Sequence, residues 1–342
     1  MTRTDIRLGL PSKGLMRDGA LEFLDSCGLK VFRPNPRQYA ATIPNLPGVT
    51  VLFQRPGDIV VGVRQGSLDF GITGYDILAE IASNSSQILT LHEALGFGPC
   101  TLNLAVPEEL PIQNMADLLN WAQERGASDY PLRVATKFPN LTRDMLDKHG
   151  IEPYRLVSPE GTLEIAPAIG FADLIADLVS SGITLRDNHL RTLDDGLILS
   201  SEACLIANRA ALQNRQEVLE VAHRLLEFTE AFLRAQGSYV ITANIRGRSP
   251  EEIAGLMFDQ DTIGGLQGPT ISRVVVREDL NNGGGWYAIN IIVKKTEIFQ
   301  AVTELRQIGG SGVIVTPCTY IFEEEPQRYQ AMLTALEEVP NV

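Results

Sequence analysis

The residues best suited to chemistry lie together in 160–188, EGTLEIAPAIGFADLIADLVSSGITLRDN. Asp177 closes a short apolar run, Ser180-Ser181-Gly182 forms a small-residue loop, and Thr184, between Ile183 and Leu185, stands where a helix can begin. A strand–loop–helix corner of this kind turns backbone N–H groups and hydroxyls into one concavity with a helix dipole behind them. Such a nest suits a phosphate monoester. The acid ahead of it can accept hydrogen bonds from vicinal hydroxyls of the kind a ribose offers, and Glu164 adds a second carboxylate to the stretch. A Ser/Gly/Thr turn between strand and helix is also common as plain structure, so the loop takes its meaning from the rest of the chain.

The elements that must position these groups alternate in type. Residues 6–11 read as a strand stopped by Pro11, followed by the turn Ser12-Lys13-Gly14 and an amphipathic helix from Met16 to Cys27, ended by Gly28. Val49–Gln54 reads as a strand, with Arg55-Pro56-Gly57-Asp58 as the turn after it and Asp58 as the helix N-cap. Leu68–Thr73 is a further buried strand, and Gly74-Tyr75-Asp76 opens the next helix. In an α/β domain ligands gather at the C-terminal ends of strands. Lys13, Arg55, Gly74 and Asp76 all fall there, although each basic residue taken singly is equally a solvated surface cation.

Leu95–Pro107 passes from a Gly-rich loop into a long strand that crosses to a second α/β lobe. There Thr136, Lys137 and Arg143 mark another strand–helix corner, where Thr can cap and the two cations can be either ligands or solvated surface. Leu197–Asn208 reads as the return strand and Gln213–Gln236 as an amphipathic linker helix. The expected division is 1–102 with 190–212 as one lobe, 103–189 as the other, 213–236 as linker, and 237–342 as a last domain and tail. That domain reads βαββαβ, the ferredoxin-like order, with Asn281-Asn282-Gly283-Gly284-Gly285 at the tip between its central strands. The fold class is α/β: a bilobal, periplasmic-binding-protein-like region followed by a ferredoxin-like module.

Composition narrows the function. A net charge of −13 over 342 residues argues against a nucleic-acid partner, because phosphate backbones need a basic surface. No apolar run reaches membrane-span length, and the first residues carry no signal-peptide core. Cys27, Cys100, Cys204 and Cys318 lie far apart without metal spacing and read as reduced thiols of a cytoplasmic protein. Phosphorylated ligands approach against the overall field, so local cations, amide nests or Mg2+ must hold them.

Five runs, 55–78, 95–107, 133–143, 161–188 and 308–317, together resemble the ATP phosphoribosyltransferase family, the first enzyme of histidine biosynthesis, over nearly the whole chain. The module after residue 237 is similar to the regulatory domain of the family's long form. The resemblance implies a hexameric homo-oligomer (a dimer being the other possibility) that histidine inhibits and that works without a synthetase-like partner. It implies a PRPP loop from Asp177 through Ser180, Ser181, Gly182, Ile183, Thr184 and Leu185, with Asp177 at the ribose hydroxyls. Glu164 and Lys13 join Asp177 as catalytic-site residues by the same likeness. Lys13, Arg55, Gly74, Asp76, Lys137 and Arg143 match the family's ATP and phosphate wall. The chain departs from the family at Leu15, where Arg is usual, at Ser181-Gly182, where Thr-Gly is usual, and at His189, where Gly is commoner.

The implied reaction is attack of adenine N1 of ATP on C1 of PRPP, with inversion and loss of pyrophosphate. Positioning and electrostatics would carry it, with Mg2+ as cofactor on pyrophosphate oxygens and no protein metal ligands assigned. Two rival readings are a bilobal nucleotide-binding protein without turnover and a phosphoribosyltransferase for another base.

Overall fold

A computed structural model describes residues 4–338 apart from 36–37, 84, 128, 160, 267 and 276–284. A first compact unit runs to Leu226 and resumes at Pro326, and the second unit is Glu227–Glu325.

The first unit carries two sheets. Its elements in order are β1 (Ile6–Pro11), α1 (Gly14–Ser26), β2 (Ala40–Thr42), β3 (Val49–Gln54), α2 (Pro56–Arg64), β4 (Phe70–Gly74), α3 (Tyr75–Ala82), β5 (Ile88–His92), β6 (Cys100–Pro107), α4 (Met115–Ala127), β7 (Leu132–Thr136), α5 (Pro139–Lys148), β8 (Tyr154–Val157), β9 (Leu174–Val179), α6 (Ile183–Asp187), β10 (Leu190–Ser201), β11 (Ala203–Asn208) and α7 (Arg209–Asn214). Helix α8 (Gln216–Ala235) then carries the chain across the division between units. The first sheet has the order β2-β3-β1-β4-β11-β5 and the second β10-β6-β9-β7-β8.

The central strands β3, β1 and β4 run parallel, as strands joined by crossover helices must. They are buried on both faces, so Leu8, Leu10, Val51, Phe70 and Ile72 are almost fully covered. Each such side chain contributes roughly 1.5–3 kcal/mol on leaving water. Gly9 sits mid-strand because α2 packs hard against it: a Cβ there would lie 2.7 Å from Leu68 and 3.2 Å from Ile59.

Several boundaries differ from those expected from sequence. Leu197–Asn208 is not one strand. Leu190–Ser201 pairs antiparallel with β6 in the second sheet, with Ser201 opposite Cys100, and the return to the first sheet starts at Ala203 opposite Gly74. Both crossovers between lobes therefore sit side by side, and 190–201 belongs with the second lobe. The helix after β3 begins at Pro56 with Arg55 at its N-cap, which leaves Asp58 inside the first turn. Strands β2, β5 and β8 are additional to the expected set.

In the second unit β12 (Ser238–Gly247), α9 (Pro250–Phe258), β13 (Thr270–Val274), β14 (Gly285–Lys294), α10 (Ile298–Gln307) and β15 (Ser311–Pro317) form an antiparallel sheet of order β13-β14-β12-β15. That is the ferredoxin-like arrangement. Ile241, Ile245, Ile253, Met257, Ile289 and Leu305 fill its core. Residues 281–284 of the expected hairpin tip lie outside the described residues. The tail expected after this domain contains α11 (Gln327–Glu337), which belongs to the first unit and lies against β5 and α7.

Candidate active site

Strand β9 delivers Asp177 at its C-terminal end, opposite Asn103 on β6. The Asp177 carboxylate accepts the N–H of Leu178 at 2.8 Å. Burial pushes its carboxyl above the usual range; the Leu178 amide opposes this, the Glu164 charge adds to it, and the Lys137 ammonium opposes it. Asp177, Glu164 and Lys137 thus share one electrostatic neighbourhood, assembled from three separate segments.

The chain turns at Gly182, whose φ of +71° lies in the left-handed region where a side chain is strained. Helix α6 follows, and the N–H groups of a first helical turn have no acceptor within the helix. Ser180, Ser181, Ile183 and Thr184 are exposed, whereas the Leu185 side chain is buried among Leu163, Ala166, Ile175 and Leu190. Leu185 can offer a ligand only its backbone. His189, where the family usually has Gly, has φ +54°, a conformation that glycine adopts without strain.

A cleft of about 650 Å³ opens beside this loop, lined by Ser180 with Tyr75, Glu93, Cys100, Thr101 and Ser201 among others. It sits where the crossovers meet: Thr101 Oγ1 donates to the Val179 carbonyl at 3.3 Å, and Asn103 donates to Thr101 Oγ1 at 2.7 Å.

Lys13 and Arg55 line a different depression, of about 610 Å³, with Tyr39, Phe53 and Asp58. They close β1 and β3 as the N-cap residues of α1 and α2. Leu15 is 90% exposed, and Arg17 is held to Asp18 at 2.7 Å.

Three of the expected wall residues, Asp76, Gly74 and Arg143, have close neighbours within the protein itself. Asp76 is only 5% exposed, and its Oδ1 accepts the Ser201 hydroxyl at 2.8 Å while Ser201 Oγ accepts the Asp76 N–H at 2.9 Å. This closed pair pins α3 to the end of β10. Gly74 is buried, and a Cβ there would collide with the Asp76 carboxylate. Arg143 donates to Asn140 Oδ1 at 3.2 Å and lies near enough to Tyr154, on the edge strand β8, to act on its hydroxyl.

Sequence reasoning missed Glu80, Glu93 and Ser201. Glu80, on α3, accepts the N–H groups of Asn140 and Leu141 at 2.9 and 3.0 Å and so caps α5 from the opposite lobe. Short-range sequence signals carry no trace of such partners. Among the described residues no group of three or more His, Cys, Asp or Glu is placed to hold a metal ion.

Fold and cleft define a two-lobed α/β protein with a strand–loop–helix corner beside the cleft, followed in the chain by a ferredoxin-like module. The profile of the family described as ATP phosphoribosyltransferase matches residues 55–227, and that described as HisG, C-terminal domain, matches 235–320. The chain is 45% identical over 340 residues to ATP phosphoribosyltransferase 2, chloroplastic, of Arabidopsis thaliana, covering 98% of this chain and 81% of that protein. To ATP phosphoribosyltransferase of Methanothermobacter thermautotrophicus it is 33% identical over 312 residues, covering 91% and 97%. The Thermotoga maritima ATP phosphoribosyl transferase (HisG:HisZ) complex includes a chain of the same fold, with a TM-score of 0.50 and 24% identity over 66% of this chain and 98% of that one. The chain belongs to the ATP phosphoribosyltransferase family, the pentosyltransferases of histidine biosynthesis.

Proposed function

We propose that the corner from Asp177 to Thr184 is the PRPP site of this enzyme. The observation that carries the assignment is the left-handed turn at Gly182 between the half-buried Asp177 and the exposed first turn of α6. The backbone N–H groups of the turn and the hydroxyls of Ser180, Ser181 and Thr184 hold the 5-phosphate, and Asp177 accepts from the ribose hydroxyls. A carboxylate at that position also stabilises positive charge developing at C1 as pyrophosphate departs. Glu164 lies within electrostatic reach of Asp177 and raises its proton affinity. Lys137 offsets that charge and stands at a strand end where it can meet phosphate oxygens.

ATP enters the cleft so that adenine N1 faces C1, and the bond to N1 forms as the C1–O bond to pyrophosphate breaks with inversion. The chain's part is to orient the two substrates and exclude water. Mg2+ neutralises pyrophosphate charge when bound. Asp177 and Glu164 are the carboxylates of the proposed site that would help to hold it. Lys13 and Arg55 form a separate anion-receiving surface at the ends of β1 and β3. The ferredoxin-like unit carries histidine inhibition in a homo-hexamer, a role that rests on family likeness. With none of the four cysteines in a disulfide, we place the enzyme in a reducing, cytoplasm-like compartment.

The test is turnover of ATP and PRPP with Mg2+, followed by the ultraviolet change of the N1-substituted adenine, with and without histidine. Turnover suppressed by histidine supports both assignments. Binding of both substrates without turnover would overturn the reaction.

A further inference from the structure

The cleft that must admit two polyphosphates is acidic. Among its lining residues Glu93 and Glu202 carry charge, and neither Lys nor Arg lines it. One of these carboxylates has a dedicated cation. Arg328, in the first turn of α11, donates from its guanidinium to Glu93 Oε2, and the Glu93 side chain still has 58% of its surface exposed.

Helix α11 is seated for this purpose by contacts of its own. Arg209 donates to the Ala335 carbonyl at 2.5 Å, Gln213 donates to the Leu336 carbonyl at 3.1 Å, and Tyr329 meets His223 edge-on at 4.6 Å between ring centres. Met332 is buried beneath the helix. Arg328 lies beyond both matched family segments, which end at residues 227 and 320.

We propose that Arg328 is a positioning residue of the cleft, which holds Glu93 against the wall and masks a negative charge that incoming polyphosphates would otherwise meet. An exposed ion pair adds little to stability. Its effect here falls on binding, because a cleft focuses the field of the charges that line it. The Glu93 carboxyl sits below its ordinary range although burial alone would raise it, since its own backbone hydrogen bond and Arg328 both favour the ion. With more than half of its side chain exposed to water, Glu93 keeps the solvation that a carboxylate needs to stay ionised without that partner. The proposal rests on reading this cleft as the substrate site.

The test compares wild type, Arg328→Ala, Arg328→Lys and the double variant Arg328→Ala/Glu93→Gln. We expect Arg328→Ala to raise KM for ATP or PRPP by about three- to tenfold while kcat stays within about twofold, an effect that shrinks as salt rises. The lysine variant should stay near wild type. Adding Glu93→Gln should restore KM, which mere loosening of α11 would not allow. An unchanged KM in Arg328→Ala, or a double variant as impaired as the single, overturns the inference. Titration with inorganic pyrophosphate gives a readout independent of turnover. If wild type does not turn over, the reaction fails, and the ratio of pyrophosphate affinities between wild type and Arg328→Ala still decides the charge-masking role: weaker binding in the variant supports it and equal binding refutes it.

Discussion

Replacing Ser201 by Ala tests whether Asp76 is spent on a buried polar pair that ties α3 to the end of β10 or is left to the ligand wall where it was expected. Ser201 Oγ accepts the N–H of Asp76 and donates to its carboxylate, and Asp76 is 5% exposed. The methyl group of Ala leaves a buried N–H and a buried carboxylate oxygen each without that partner. A buried group stripped of its partner costs about 1–3 kcal/mol, and more when it is charged. Taking about 1.5 kcal/mol for each gives about 3 kcal/mol, or a fall in Tm of roughly 6–12 °C for a unit of this size. Denaturant and thermal unfolding of Ser201→Ala, Asp76→Ala and the double variant measure it. The double variant should cost at least about 1 kcal/mol less than the two singles together, because both singles break the same contact. A Ser201→Ala protein within about 0.5 kcal/mol of wild type would refute the buried pair. An Asp76→Ala enzyme of full stability, with KM for ATP raised about tenfold (about 1.4 kcal/mol), would return Asp76 to the ligand wall.

Three further outcomes follow from particular contacts. Burial, reinforced by Arg328, lowers the His92 pKa from 6.5 to about 4, with Glu93 opposing; the unfolded chain takes the proton first, so this stability is complete above about pH 6.5 and is lost as pH falls toward 4. His92→Asn should narrow the gap in denaturation midpoint between pH 7 and pH 5, and an equal gap would refute the assignment. Glu80→Ala removes the cap that α5 receives across the lobes and should cost about 1–2 kcal/mol by chemical unfolding, with Glu80→Gln between it and wild type. Asp177→Asn should raise KM for PRPP or lower kcat by about tenfold or more in steady-state assays, and unchanged kinetics would remove Asp177 from the site.

Local pattern made the frame of this protein legible, because strand and helix periods are written in neighbouring residues. The parallel strands β1, β3 and β4, the corner at Gly182 and the ferredoxin-like order of the second unit all follow from runs of fewer than a dozen residues. Sheet membership was not legible in the same way. Leu197–Asn208 is one apolar run by composition, yet it breaks at Glu202 because Ser201 pairs with Cys100 and Ala203 with Gly74, in different sheets. The helix that carries Arg328 has an unremarkable pattern, and its meaning comes from Glu93, 235 positions earlier. The rule that ligands gather at strand ends singles out Asp177 and Asp76 alike, and the structure gives the two acids different surroundings. Both acids stand at or just beyond the end of a strand, β9 and β4 respectively. Asp177 is held by the N–H of its own neighbour and remains half-exposed, whereas Asp76 is closed off by a serine 125 positions away. Strand ends can therefore be read from sequence as places where chemistry can occur, but whether a given side chain there is spent on the fold or left to the ligand is decided by contacts distant in the chain.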